Sequence, residues 1–228
     1  MDYTLALEGA TYGGSVALLR DTTVIAERTL VDNGIPSRGG REERVLPSVA
    51  ECLVESRISV DRITRVVCGA GPGSFTSLRI AASVAKGIAV GVGCPMFSVS
   101  SLLLSVACAR NPLADGRYLS VLPAMRNEWF ASLFELAGGG PIAQLRPPSI
   151  VADAELVAAA AEAGATLLGP DCDLESRPHA RGVAKLLDQI VSAGPVVLET
   201  WEPNYGRLAE AQVRWDAAQR GGGAGVTG

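Results

Sequence analysis

Residues 66–93 read VVCGAGPGSFTSLRIAASVAKGIAVGVG, and this stretch decides the fold. The apolar run Val66-Val67-Cys68 predicts a short buried strand. Gly69, Gly71 and Gly73 follow, with Pro72 between the last two; the turn is expected to need glycine torsions, Gly73 included. Ser74 or Thr76 then offers a cap to a helix that runs to about Val90 and stops at Gly91 or Gly93. Ala81, Ala85 and Ala89 form one row of small residues on this helix, and Ser83, Gly87 and Gly91 form another. The rows lie on nearly opposite faces, so either side accepts a close neighbour. The sequence does not say which row faces outward. Gly87 costs about 1 kcal/mol against alanine inside a helix, so close packing is the expected reason for it.

A helix N-terminus after a glycine turn is an anion site by default. The Walker pattern, however, needs a Lys before a Ser or Thr, and none follows Gly73. The dinucleotide fingerprint needs a third glycine where Ser74 stands. A structural strand-to-helix joint is the preferred reading over a phosphate cradle.

The run Gly71-Pro72-Gly73-Ser74-Phe75-Thr76-Ser77-Leu78-Arg79-Ile80, followed by Ala85-Lys86-Gly87, resembles the bacterial TsaB family. Its members are the non-catalytic partners in the synthesis of N6-threonylcarbamoyladenosine on transfer RNA. The family has Gly where Ser77 stands, so a side chain is added at a tight spot. Near the C-terminus, Glu202-Pro203-Asn204-Tyr205-Gly206-Arg207 resembles the family's Glu-Pro-x-Tyr-Leu-Arg.

Before the organising stretch, residues 3–7, 15–19 and 24–31 read as a three-stranded meander. A helix over 42–57 follows, with Val45, Leu46, Val49, Leu53 and Val54 on one apolar stripe. After it come a strand at 96–99 and a helix at 102–110. The order then repeats: strands at 118–122, 128–136 and 142–150, the last carrying Pro147-Pro148; a helix at 153–163; a strand at 166–168; a helix at 180–192; a strand at 196–198; and a final helix at 208–219. Two α/β lobes with mixed sheets are implied, at 1–104 and 105–219, with a tail at 220–228. Element order alone leaves other two-lobed folds open. The resemblance implies the actin/hexokinase/Hsp70-like (ASKHA) fold with duplicated lobes.

The 228 residues carry a net charge of −4, one histidine and five cysteines without a C-x-x-C pair. This argues against a disulfide frame, a zinc site and a large nucleic-acid footprint. No stretch is expected to cross a membrane, and no signal peptide is expected, so a cytoplasmic address follows. His179 reads as a solvated loop residue, and Asp171, Cys172 and Asp173 as a solvated turn; no metal and no cofactor are expected.

In actin-like ATPases an acidic residue at the end of the first strand helps hold magnesium, and the hairpin amides hold phosphates. The resembled family has Asp-Thr-Ser there; this chain has Glu8-Gly9-Ala10, with Thr11 displaced by one position. Glu8 and Thr11 are the candidates for a degenerate nucleotide site, and a strand-end glutamate facing a cleft or solvent is the preferred reading of Glu8. The family's second hairpin reads Asp-Ala-Arg-Arg-Gly-Glu; here it is Pro123-Ala124-Met125-Arg126-Asn127-Glu128, with Pro123 in place of the acid. The family's His-Ser-Glu appears as Arg41-Glu42-Glu43.

The resemblance implies a chain with no catalytic residues of its own. It implies pairing with a catalytic actin-like paralogue (TsaD-type), docking of an ATPase subunit (TsaE-type), a homodimer when alone, and contact with transfer RNA only through the complex. The pairing surface is expected on the two helices, at Val45, Leu46, Val49, Leu53, Arg79, Ser83, Ala85, Lys86 and Gly87. The rival readings are an ATP-dependent small-molecule kinase of the same fold and, less well supported, a glycoprotease-like metallohydrolase.

Overall fold

The computed structural model describes residues 1–11, 14–30 and 44–206. Five strands form a first sheet: β1 (Tyr3–Glu8), β2 (Ser15–Arg20), β3 (Thr23–Thr29), β4 (Arg65–Gly69) and β5 (Met96–Val99), in the order β3-β2-β1-β4-β5. The first three are antiparallel neighbours; β4 and β5 run parallel to β1. Helices α1 (Val45–Ser56) and α2 (Phe75–Val92) connect β3 to β4 and β4 to β5. Leu5, Leu7, Val16, Leu18, Val66 and Cys68 point to these helices, while Ala6, Ala17, Leu19 and Val67 point to the opposite face. This is the two-residue alternation of a sheet covered on both sides.

Helix α3 (Ser101–Ala107) is capped by Ser100 Oγ, which accepts from Leu103 N at 3.4 Å. It leads to the second sheet: β6 (Gly116–Pro123), β7 (Glu128–Leu136), β8 (Ala143–Ala152), β9 (Thr166–Gly169) and β10 (Leu174–Glu175), with α4 (Leu156–Glu162) before β9. Its order, β8-β7-β6-β9-β10, repeats the first sheet strand for strand, with the same antiparallel and parallel pairings. The duplicated two-lobed fold follows. One difference is large. Where the first lobe inserts α2 between β4 and β5, the second has only the turn at residues 170–173, and β10 shrinks to two residues.

Strand β8 accepts Pro147 and Pro148 because it is an edge, with register shifts opposite Ala131 and Leu133. The last described helix, α5 (Val183–Ser192), crosses back. Its Val183, Leu186, Leu187 and Ile190 cover the open face of the first sheet. In exchange, Leu102 and Val106 of α3 pack against Tyr118, Leu122, Phe134 and Leu168 of the second.

Residues 196–198 do not form a strand. Val196 N donates to Met96 O at 2.8 Å at the sheet edge, and residues 196–206 then run as a strap along α2. Lys86 Nζ donates to the Trp201 carbonyl at 2.6 Å, and Asn204 N to the Ala70 carbonyl at 2.7 Å. At the end of the strap, a Cβ on Gly206 would meet Phe130 Cζ at 2.7 Å. The expected helix at 208–219 and the tail lie outside the described residues.

By length and composition α2 is apolar enough to cross a membrane, contrary to the sequence expectation. The physical reason is its content of alanine, valine and isoleucine, with Arg79 and Lys86 as the only charges. Here Ala81, Ala82, Ala85 and Ala89 lie in the core of the first lobe.

Candidate functional site

Glu8 sits where β1, the Gly71-Pro72-Gly73 turn and the start of α3 converge, and it is fully buried. It faces neither cleft nor solvent. Its Oε1 accepts from Ala10 N, and both carboxyl oxygens lie within reach of the Ser101 hydroxyl, at 3.1 and 2.9 Å. Ser101 Oγ in turn accepts from Gly71 N at 3.1 Å, and Ser101 N donates to the Gly71 carbonyl at 2.9 Å. A Cβ on Gly69 would strike the Glu8 carboxyl, with its Cδ at 2.7 Å. Burial pushes the Glu8 carboxyl up to about 7, against the opposing effect of its hydrogen bonds with Ala10, Ser101 and Gly9. The group is a strut that joins three segments, and it would have to leave its partners to hold a metal.

The neighbouring turn is built by backbone contact. Gly71 lies at φ +81 and is joined to Pro72 by a cis bond. Gly73, contrary to expectation, is not left-handed. It must be glycine because a Cβ would meet Ala10 Cα and Cβ, both at 2.6 Å. Ser74 N donates to Ala10 O at 2.7 Å. Ser74 occupies the cap position of α2 without a side-chain cap bond; its Oγ pairs with Ser77 Oγ at 3.0 Å. Ser77 is thus accommodated, and the tight approach there comes from Gly9, whose Cβ would meet the Ser77 carbonyl oxygen at 2.6 Å. Thr76 is exposed in the first helical turn, and Thr11 is half-buried beyond Ala10. The hairpin that holds phosphate in an actin-like ATPase is here packed against the α2 turn.

The second hairpin closes through Ala124 N to Glu128 O at 2.8 Å, with Arg126 and Asn127 left-handed at φ 67 and 56. Pro123 ends β6 at the position where the resembled family has an acid. Arg41, Glu42 and Glu43 lie outside the described residues. Burial pushes all five thiols upward, so none is a ready thiolate at neutral pH.

His179 was expected in solvent and is instead 8% exposed. The segment that carries it docks on the first sheet, with Ala180 N donating to Ser15 Oγ at 2.9 Å. His179 Nδ1 accepts from Arg181 N at 3.1 Å, which leaves the proton on Nε2 to donate to Thr29 Oγ1 at 3.2 Å. Burial, aided by Arg181, pulls its pKa down to about 4, while Glu27 opposes. The ring therefore stabilises the fold above its unfolded pKa of about 6.5, and this contribution is lost as pH falls through about 4. At most about 3 kcal/mol should disappear across that window. Urea midpoints of His179→Gln should fall less steeply than wild type between pH 7 and 4; equal slopes would remove the histidine from the account.

The surface predicted on the two helices divides. Val45, Val49 and Ala85 face the chain's own core and are unavailable to a partner. The first two turn inward because the α1 stripe covers β2 and β3. Lys86 clasps the strap at Trp201, and Arg79 stacks 4.2 Å over the Phe75 ring, with Tyr205 5.8 Å away. Leu46 is 53% exposed and Leu53 half-buried; Ser83 and Gly87 are exposed. The row Ser83, Gly87, Gly91 is the outward one. A Cβ at Gly87 or Gly91 would meet nothing within 4 Å, so packing within the described chain does not account for these glycines.

Residues 35–133 match a family model described as TsaD: tRNA N6-adenosine threonylcarbamoyltransferase. The chain is 36% identical over 124 residues to the tRNA threonylcarbamoyladenosine biosynthesis protein TsaB of Escherichia coli (strain K12), covering 54% of this chain and 51% of that protein. It spans only about half of that relative. To TsaB of Bacillus subtilis (strain 168) it is 26% identical over 234 residues, covering 95% and 99%. The solved structure of YeaZ from Pseudomonas aeruginosa superposes with a TM-score of 0.66 at 27% identity, covering 90% of this chain and all of that one. The GPGS turn, the duplicated lobes and these matches agree: the chain is similar to TsaB proteins named for tRNA threonylcarbamoyladenosine biosynthesis.

Proposed function

We propose that this chain is the non-catalytic partner subunit in tRNA threonylcarbamoyladenosine biosynthesis. It pairs with a catalytic TsaD-type paralogue, receives a TsaE-type ATPase subunit on the pair, and meets transfer RNA only through that complex. It acts in the cytoplasm and needs no cofactor of its own. The relatives named for this pathway support the assignment to it. The observation that carries the non-catalytic reading is the fate of the two acidic positions: Glu8 is enclosed with its oxygens partnered, and Pro123 stands in the other.

The pairing surface we assign is the outer face of α1 and α2. Exposed Leu46 and Val54 flank it on α1, and exposed Val90 on α2. Gly87 and Gly91 cost about 1 kcal/mol each in the helix, a cost that close approach of a partner backbone would offset. Residues 35–133, which match the TsaD model, include both helices, so a TsaD-type chain has counterparts of both. Like helices then meet about a pseudo-two-fold axis. Alone, the same face closes a homodimer.

Co-purification from the native host should recover the TsaD-type paralogue with this chain. Ser83→Glu and Gly87→Glu should keep their circular dichroism yet weaken that association about 100-fold, from roughly 3 kcal/mol for an unpaired buried charge. Ala85→Glu should unfold instead, because Ala85 is fully buried. Folded charge variants that still associate as wild type would place the interface elsewhere. The pure chain should turn over neither ATP nor threonylcarbamoyl-adenylate; turnover abolished by Glu8→Ala would favour the kinase reading.

A further inference from the structure

The strap passes from one lobe to the other within three residues. Its first half belongs to the first lobe: Val196, Leu198 and Trp201 pack against the core beneath α2, and Pro203 is buried. Asn204 N then donates to the Ala70 carbonyl at 2.7 Å, and the Asn204 carbonyl oxygen fills the space that a Cβ on Gly71 would need. Two residues on, the chain lies against the second lobe. Gly206 is left-handed at φ +71, and the Phe130 ring of β7 stands where its Cβ would be, with Cζ at 2.7 Å. Asn204 Oδ1 accepts from Gly206 N at 2.8 Å and so bends the chain toward that ring. Between these two residues, Tyr205 joins the cluster that holds Ala10 of the first hairpin, Ala124 of the second, and Leu122 and Phe130.

We propose that residues 204–206 are a latch that holds the two lobes against each other in the free chain. Helices α3 and α5 also join the lobes, but helices packed on sheet faces permit small shear movements. A tie that binds the Gly71 turn on one side and β7 on the other removes them. The hold is slight enough to release: Asn204 is exposed, and the crossing consists of one main-chain hydrogen bond to the first lobe and one ring contact to the second. Glycine is required at 206 because its left-handed φ and the ring beside it both exclude a side chain. The latch does not depend on the pairing surface or the pathway assigned above.

The test is amide hydrogen exchange on the full chain, with variants that cut the latch from opposite sides. Asn204→Pro removes the N–H that bonds the first lobe; Gly206→Ala sets a methyl against Phe130 of the second. Each should speed exchange about tenfold on the lobe that it does not touch. For Asn204→Pro the reporter is the Ala124 N–H, which donates to Glu128 O. For Gly206→Ala the reporters are the Ala10 N–H, held by Glu8, and the Ser74 N–H, held by Ala10 O. Asn204→Ala, which loses only the bend toward Phe130, should act in the same direction as Gly206→Ala. Mid-sheet amides of both lobes should keep their wild-type rates. Three results would overturn the proposal: faster exchange confined to the lobe that lost its contact, faster exchange of mid-sheet amides to the same degree, or wild-type rates throughout in every variant.

Discussion

Gly73→Val should cost about 4 kcal/mol and lower the melting temperature by roughly 8–16 °C. The cause is a collision and not a torsion. Gly73 has an ordinary φ, but its Cβ would stand 2.6 Å from Ala10 Cα and Cβ, and backbone cannot rotate away. The hairpin must move back. That breaks Ser74 N to Ala10 O and loosens the Ala10 N–H from Glu8, at about 1 kcal/mol each on top of the overpacking. Because the first side-chain atom suffices, Gly73→Ala should lose most of the same amount. Gly87→Ala, fourteen residues on in the same motif, should raise stability by up to about 1 kcal/mol, since its site is open and alanine is the better helix former. A Gly73→Ala protein that melts like wild type would refute the collision.

Replacing Glu8 by Gln should change how stability depends on pH. The folded carboxyl titrates at about 7, above its unfolded value of about 4.5. Its contribution is therefore fully present below 4.5 and is lost as pH rises through 7. The loss is about 3 kcal/mol, a large part of a typical domain's 5–15 kcal/mol. Gln accepts from Ala10 N and hydrogen-bonds Ser101 without a charge. Glu8→Gln should match wild type near pH 4.5 and exceed it by up to that amount at pH 8. His179 acts with the opposite sign between about 6.5 and 4, so wild type should show a broad optimum that each variant tilts in its own direction. Parallel urea titrations at pH 5 and 8 decide the matter; a Glu8→Gln curve that merely shifts from wild type without changing shape sinks the assignment.

Most strand and helix elements among the described residues were legible because alternation and helical period are local, whereas the strand read at 196–198 is a strap and the two-residue β10 was missed. The doubled element order, which the two sheets repeat in their pairing, was legible too. What the sequence left open depended on neighbours distant in the chain. Two small-residue rows on α2 look alike in sequence, and only the sheet beneath Ala81, Ala85 and Ala89 assigns them. Val45 and Val49 look like surface stripe until β2 and β3 lie under them. Lys86 and Arg79 meet a strap more than a hundred residues later, and Pro178 makes the His179 loop look solvated although it seals a sheet. Glu8 was recognised by position, yet its burial comes from Ser101, 93 residues away. The turn at 170–173 gave no sign that a whole helix was omitted.

The exchange of α3 and α5 sets a schedule for synthesis. All five strands of the first sheet have been made once Val99 has left the ribosome, but the helix that covers Ala17, Leu19, Val67 and Phe97 ends at Ser192. At roughly 5–20 residues per second, the missing 93 residues take about 5–19 s. For that interval the nascent first lobe has only Leu104 and Ala107 of α3 to lay on that apolar sheet face, which makes it a client for chaperones and a poor candidate for expression on its own.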